Sequence, residues 1–166
     1  MIQTAYIFMD FDGVTHPWGE VEDFRCLPLI EDVMREYAEA RIVIASDWRM
    51  LFSLSKLVSR FSEDIRARVV GATPHLIPKH GAELHGLRER EAMAWLAQHV
   101  PDIAQAAWCA LDDAPGNWLT RSRLLLTDFK RGFTDEDAGA LRRMLEAFRA
   151  GTPVPVRQPP SFLRRA

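Results

Sequence analysis

Ala5-Tyr6-Ile7-Phe8-Met9-Asp10-Phe11-Asp12-Gly13-Val14 joins five apolar residues to a pair of carboxylates. The apolar five read as a buried β-strand, with Asp10 and Asp12 at its carboxyl end. Side chains two apart on a strand share a face, so both acids can point at one spot. Gly13 permits a sharp turn just beyond them. Like charges held that close repel, and a divalent cation relieves the repulsion; hard oxygen ligands suit magnesium. The stretch predicts a metal-assisted phosphoryl-transfer site.

Outward from it, four more strand-like runs recur: 41–45, 68–71, 106–111 and 123–127. Helical spacing fills the gaps. Leu29, Ile30, Val33, Met34 and Tyr37 mark one helix, with Pro28 in its first turn. Leu51, Leu54, Leu57, Val58 and Phe61 mark a second. Ala92, Met93, Leu96, Ala97 and Val100 mark a third, ended by Pro101. Thr134 and Asp137 form a capping pair for the fourth, which runs to a stop at Gly151. Strands alternating with helices predict an α/β fold: a Rossmann-like three-layer sandwich with a mainly parallel five-stranded sheet. Sites in such sheets form at the carboxyl ends of strands. Asp10 and Asp12, Ser46 and Asp47, Asp112 and Asp113, and Asp128 all fall there.

Composition narrows the class. The chain has 166 residues, 48% hydrophobic and 27% charged, which fits one globular domain over 1–150. Residues 151–166 carry four prolines with Arg157, Arg164 and Arg165 and read as an extended tail or a segment wrapped over the domain. A net charge of −2 gives no sign of a basic surface coated for duplex DNA and leaves room for local basic patches. Cys26 and Cys109 are too few for a disulfide scaffold and read as buried thiols in a reducing compartment. The first strand starts too early for a signal peptide, and no run has the length of a membrane span. The expected location is the cytoplasm, with no membrane partner. His75, His80, His85 and His99 lack metal-ligand spacing, and Trp95, Trp108 and Trp118 read as core.

Three motifs in order resemble the haloacid dehalogenase superfamily, whose members are mostly magnesium-dependent phosphatases. They are Asp10-Phe11-Asp12-Gly13-Val14, Ile42-Val43-Ile44-Ala45-Ser46, and Ala110-Leu111-Asp112-Asp113, each ending an apolar strand. Ser46-Asp47-Trp48-Arg49 together with Trp108 is further similar to small domains of this superfamily associated with RNA-repair proteins. The resemblance implies that Asp10 is the nucleophile, forming an aspartyl-phosphate. It implies that Asp12 is the general acid and then base, meeting the metal through its backbone carbonyl. It gives Asp112 and Asp113 to the magnesium site, one of them directly and the other directly or through water, and Ser46 to the phosphoryl group. The family's third motif is a basic residue at a helix start. Arg88 is the first choice here, with Arg90 and Lys79 as competitors.

Bland roles exist for several of these residues. Ser46 or Asp47 can cap the following helix, and Asp112 or Asp113 can cap 114–119. Arg49 fits a surface salt bridge or a phosphate contact. Trp18, in the irregular stretch after the first motif, packs under a loop or stacks on a flat substrate group. The intervals 12–46 and 46–112 hold no large cap domain, so the site is expected to be open. An open site suits a phosphate on something large: a nucleic-acid end, a nucleotide or a phosphoprotein. The same residues also fit a non-catalytic phosphate- and metal-binding regulatory module, or a phosphotransferase.

Overall fold

The computed structural model describes residues 3–19 and 21–156, so the tail arginines named above lie outside the described residues. Five strands form one parallel sheet: β1 (Ala5–Met9), β2 (Ala40–Ile44), β3 (Val69–Ala72), β4 (Ala107–Asp112) and β5 (Leu124–Leu126). Their order is β3-β2-β1-β4-β5. The expected runs lie within two residues of these bounds. After β3 the chain returns past β1 to lay down β4, so the switch in strand order falls between β1 and β4.

Alternation along the strands divides the core between the two faces of the sheet. Ala5, Ile7 and Met9 of β1, with Ile42, Ile44, Cys109 and Leu111, meet α1 (Leu27–Glu36) and α5 (Asp135–Ala150). Phe8, Val43, Ala45, Trp108 and Ala110 face the other way, onto Ala92, Trp95 and Leu96 of α4 (Leu87–His99). Each large apolar side chain fully buried in these layers contributes about 1.5–3 kcal/mol. The result is the three-layer α/β/α sandwich. No inserted domain interrupts it among the described residues.

Local chemistry sets the helix ends. Thr134 Oγ1 accepts from the Asp137 N–H while the Asp137 carboxylate accepts from the Thr134 N–H, a complete capping box. Gly151 closes α5 at φ 65°. One expectation fails: no continuous helix runs over 51–61. A short 3-10 turn (Asp47–Met50) is followed by α2 (Leu54–Val58) and α3 (Glu63–Arg66). Serines break the run. Ser53 Oγ accepts from the Lys56 N–H, and the Ser59 hydroxyl donates to the Lys56 carbonyl. Leu51 and Leu54 consequently lie exposed while Leu57 and Phe61 are buried.

Candidate active site

The register of β1 on β4 pairs Met9 with Leu111, which sets Asp10 beside Asp112; the Asp10 N–H donates to the Leu111 carbonyl at 3.0 Å. Both acids share the parity of Phe8 and Ala110, and that parity faces α4. Arg88, in the first turn of α4, meets them there. Its guanidinium lies 2.5 Å from Asp10 Oδ2 and 2.8 Å from Asp112 Oδ2. Glu89 anchors that helix start by accepting from the N–H groups of Leu119 and Thr120, at 2.7 and 2.8 Å. Of the three basic candidates, Arg88 reaches the acids. Arg90 is spent on the carbonyls of Glu83 and His85, and Lys79 is exposed.

Asp113 completes the cluster. Asp10, Asp112 and Asp113 each offer an oxygen within 4.8 Å of the others. Gly13 makes room for it: its φ is +71°, and a Cβ there would fall 2.2 Å from Asp113 Oδ2. Three acids face one guanidinium, and burial makes the surplus charge costly. Burial pushes Asp10 up to about 7; Arg88 pulls against that and Asp112 adds to it. Burial, then the Asp112 charge, pushes Asp113 up to about 6. Burial alone would lower Arg88, yet the facing carboxylates of Asp10 and Asp112 raise it above its ordinary value. Asp112 is the most heavily held of the three. Its Oδ2 accepts from Arg88 and from the Trp118 indole at 2.8 Å, and its Oδ1 from the Ala114 N–H at 2.8 Å.

The Asp12 carboxylate stands outside that trio. Oδ2 accepts from the Trp48 indole N–H at 2.9 Å, and Oδ1 lies 3.0 Å from Nε2 of the buried His16. Nδ1 of His16 is 3.1 Å from Thr15 Oγ1, which is 3.0 Å from the Phe11 carbonyl. Two hydrogen-bond patterns fit this chain. With Asp12 ionised, Nε2–H donates to it and the Thr15 hydroxyl donates to Nδ1. With Asp12 protonated, it donates to Nε2, Nδ1–H donates to Thr15, and Thr15 donates to Phe11. Either protonation state of Asp12 is thus satisfied without moving a side chain.

Ser46 is fully buried and takes the capping role itself, accepting from the Trp48 N–H at 3.3 Å. Its own hydroxyl hydrogen remains to donate. Asp47 is not the cap; it is exposed and lies 3.5 Å from Arg88. Arg49 does form a salt bridge with exposed Asp47 at 3.4 Å, but it is not a free phosphate ligand. Its side chain is buried, paired with buried Glu91 at 2.7 Å, and donates to the carbonyls of Ala45, Ser46 and Thr73. That pair ties the ends of β2 and β3 to α4. Neither Asp112 nor Asp113 caps the turn at 115–117, whose N-cap is Ala114 with no side-chain hydrogen bond; Asp112 accepts from the Ala114 N–H just ahead of it. Trp18 does not pack under a loop; it is 61% exposed.

Sequence reasoning missed His16, Trp48 and Trp118 as partners of the acids. The i,i+4 spacing of Asp12 and His16 was a usable signal; the two indoles gave none, since buried tryptophans usually only pack.

A family model described as the HAD domain in Swiss Army Knife RNA repair proteins matches residues 6–138. No curated protein and no solved structure matches the chain.

Proposed function

Since the chain belongs to the family of HAD domains in Swiss Army Knife RNA repair proteins, we propose that it is a magnesium-dependent phosphomonoesterase acting on phosphorylated nucleic-acid ends. The observation that carries this reading is the convergence of Asp10, Asp112 and Asp113 on one point with Arg88 against them. Three hard oxygen donors and an unbalanced negative charge fit a magnesium ion. Asp10, Asp113 and Asp112 would hold it, with the Asp12 backbone carbonyl in the family's pattern. Asp112 already accepts three protein N–H groups, so Asp113 has more lone pairs to give. The ion would offset the charge that otherwise keeps a phosphate away from a carboxylate.

The chain's own groups supply the rest. Asp10 is fixed for attack on phosphorus: Oδ1 accepts from the Phe11 N–H at 2.8 Å and Oδ2 faces Arg88. The bond from phosphorus to the leaving oxygen breaks as the aspartyl-phosphate forms, and Asp12 protonates that oxygen. The now ionised Asp12 then takes a proton from the water that releases phosphate. His16 keeps Asp12 aimed through both halves, because its two hydrogen-bond patterns match the two states of the acid. Arg88 can grip a phosphoryl oxygen as it leaves Asp10, and Ser46 can donate to another. Arg88 at this place favours catalysis over a regulatory module without it. The uncapped rim favours a large substrate.

The test is phosphate release from 3′- and 5′-phosphorylated oligonucleotides with magnesium and with EDTA. Release that requires magnesium and vanishes in a folded Asp10→Asn variant is expected. A folded wild-type protein that releases no phosphate from either end refutes the proposal.

A further inference from the structure

We propose that Trp18 and Phe129 form a stacking platform for an unpaired base at the phosphorylated end of a single-stranded nucleic acid. This rests on the phosphomonoesterase reading and specifies the substrate's second point of attachment. The chain has nine Phe, five Trp and two Tyr. Among the described residues, the aromatic side chains left exposed are Trp18, at 61%, and Phe129, at 44%. These two are neighbours: the Trp18 N–H donates to the Phe129 carbonyl at 2.8 Å. Scattered exposed apolar residues are ordinary, but here two exposed aromatic residues are joined backbone to backbone across separate loops.

Their place in the fold ties them to the acids. Trp18 is two residues beyond His16, which holds Asp12. Phe129 is two residues beyond Thr127, whose hydroxyl donates to the Gly13 carbonyl at 2.7 Å and whose N–H donates to the Asp112 carbonyl at 3.1 Å. Two residues of chain reach at most about 7 Å, so both rings stand on the rim that bears the acids. A nucleotide end has the matching layout, a phosphate and a flat base joined through one sugar. The charges fit as well. Lys130 sets its ammonium 5.6 Å from the Phe129 ring centre, and Arg131 is exposed beside it. Asp128 is turned back onto the Lys130 N–H at 2.9 Å, and in the Trp18 flap Asp23 is paired with Arg25 at 3.0 Å. Among the described residues, Glu22 is the further exposed acid of that flap. Stacking accepts every base, so recognition would depend on having a base and little on which one.

The experiment uses two oligonucleotides with the same terminal phosphate, one carrying a base on its last nucleotide and one abasic there. Phosphate release with magnesium gives kcat/KM for each, in the wild type and in W18A/F129A. In parallel, fluorescence anisotropy gives each affinity with Asp10→Asn as the background. The wild type is expected to favour the base-bearing end by about fivefold to 150-fold, as stacking free energies of about 1–3 kcal/mol per base imply. In W18A/F129A the ratio should fall close to one, and W18F should keep most of it. A wild-type ratio near one, or an undiminished ratio in a folded W18A/F129A, overturns the platform. If the wild type releases no phosphate from either oligonucleotide, the phosphomonoesterase reading falls, and the anisotropy ratio decides the platform by the same criteria.

Discussion

Replacing Gly13 with alanine tests whether the turn after β1 exists to admit Asp113. Two costs are separable. At φ +71° a Cβ costs roughly 1–2 kcal/mol in any surroundings. The new carbon would also lie 2.2 Å from Oδ2, 2.5 Å from Cγ and 2.8 Å from Cβ of Asp113, which must shift. Overpacking of this kind adds about 1–3 kcal/mol. Gly13→Ala should therefore destabilise by about 2–5 kcal/mol, a fall of some 5–15 °C in Tm for a chain of this length. Asp113→Ala removes the two shortest contacts and leaves one at 2.8 Å, which a small movement relieves. In that background Gly13→Ala should cost only the backbone share of about 1–2 kcal/mol.

A double-mutant cycle by urea denaturation thus predicts a coupling of about 1–3 kcal/mol between positions 13 and 113. Gly13→Ala alone should also weaken magnesium binding by calorimetry as Asp113→Ala does, because both take the same carboxylate from the cluster. A coupling below about 0.5 kcal/mol with magnesium binding intact in Gly13→Ala would refute the reasoning. Gly13 would then serve the turn and nothing else.

Two further outcomes follow from the buried charges. In EDTA the folded state keeps a proton near Asp10, pushed up to about 7 from 3.8, that the unfolded chain gives up. That stabilisation is complete below about pH 4 and is lost as pH rises to 7, at up to about 1.4 kcal/mol per pH unit. Denaturation between pH 5 and 7 should show a downward slope that Asp10→Asn flattens, with magnesium raising Tm more at pH 8 than at pH 5; equal slopes in both proteins refute it. Glu91→Ala leaves the buried Arg49 side chain only its 3.4 Å pairing with exposed Asp47 and should cost up to about 3–5 kcal/mol, most of it regained in Arg49→Met/Glu91→Leu. A urea-measured loss under about 1 kcal/mol would show that the pair does not pin the β2 and β3 ends.

Much of the fold was legible because two periods do not resemble each other. Alternation in 5–9 and 107–111 separates the core into its two faces, and the 3.6-residue stripe of 135–150 comes with its own cap and stop. The segment 51–61 was misread because apolar spacing there is helical while its serines compete for the same backbone groups. Spacing reports which residues want burial and says nothing of where a hydroxyl will end a turn. The acids were legible for a different reason. Asp10, Asp112 and Asp113 end apolar strands, where a carboxylate contradicts its surroundings.

That contrast separates what the sequence can announce from what it hides. Residues that break a local rule stand out in the order of residues alone, because surplus like charge at the end of a buried strand has few structural excuses. The residues that make the surplus tolerable break no rule. Trp48 and Trp118 bury their rings as tryptophans do, and each spends only an indole N–H on an aspartate. Glu89 looks like any helix-surface acid, yet it holds the turn that presents Arg88. Their contribution depends on a donor's direction, which chain order does not encode. Exposure follows the same logic in reverse: Trp18 and Phe129 look like core residues in sequence, and only their shared place on the rim makes their exposure informative.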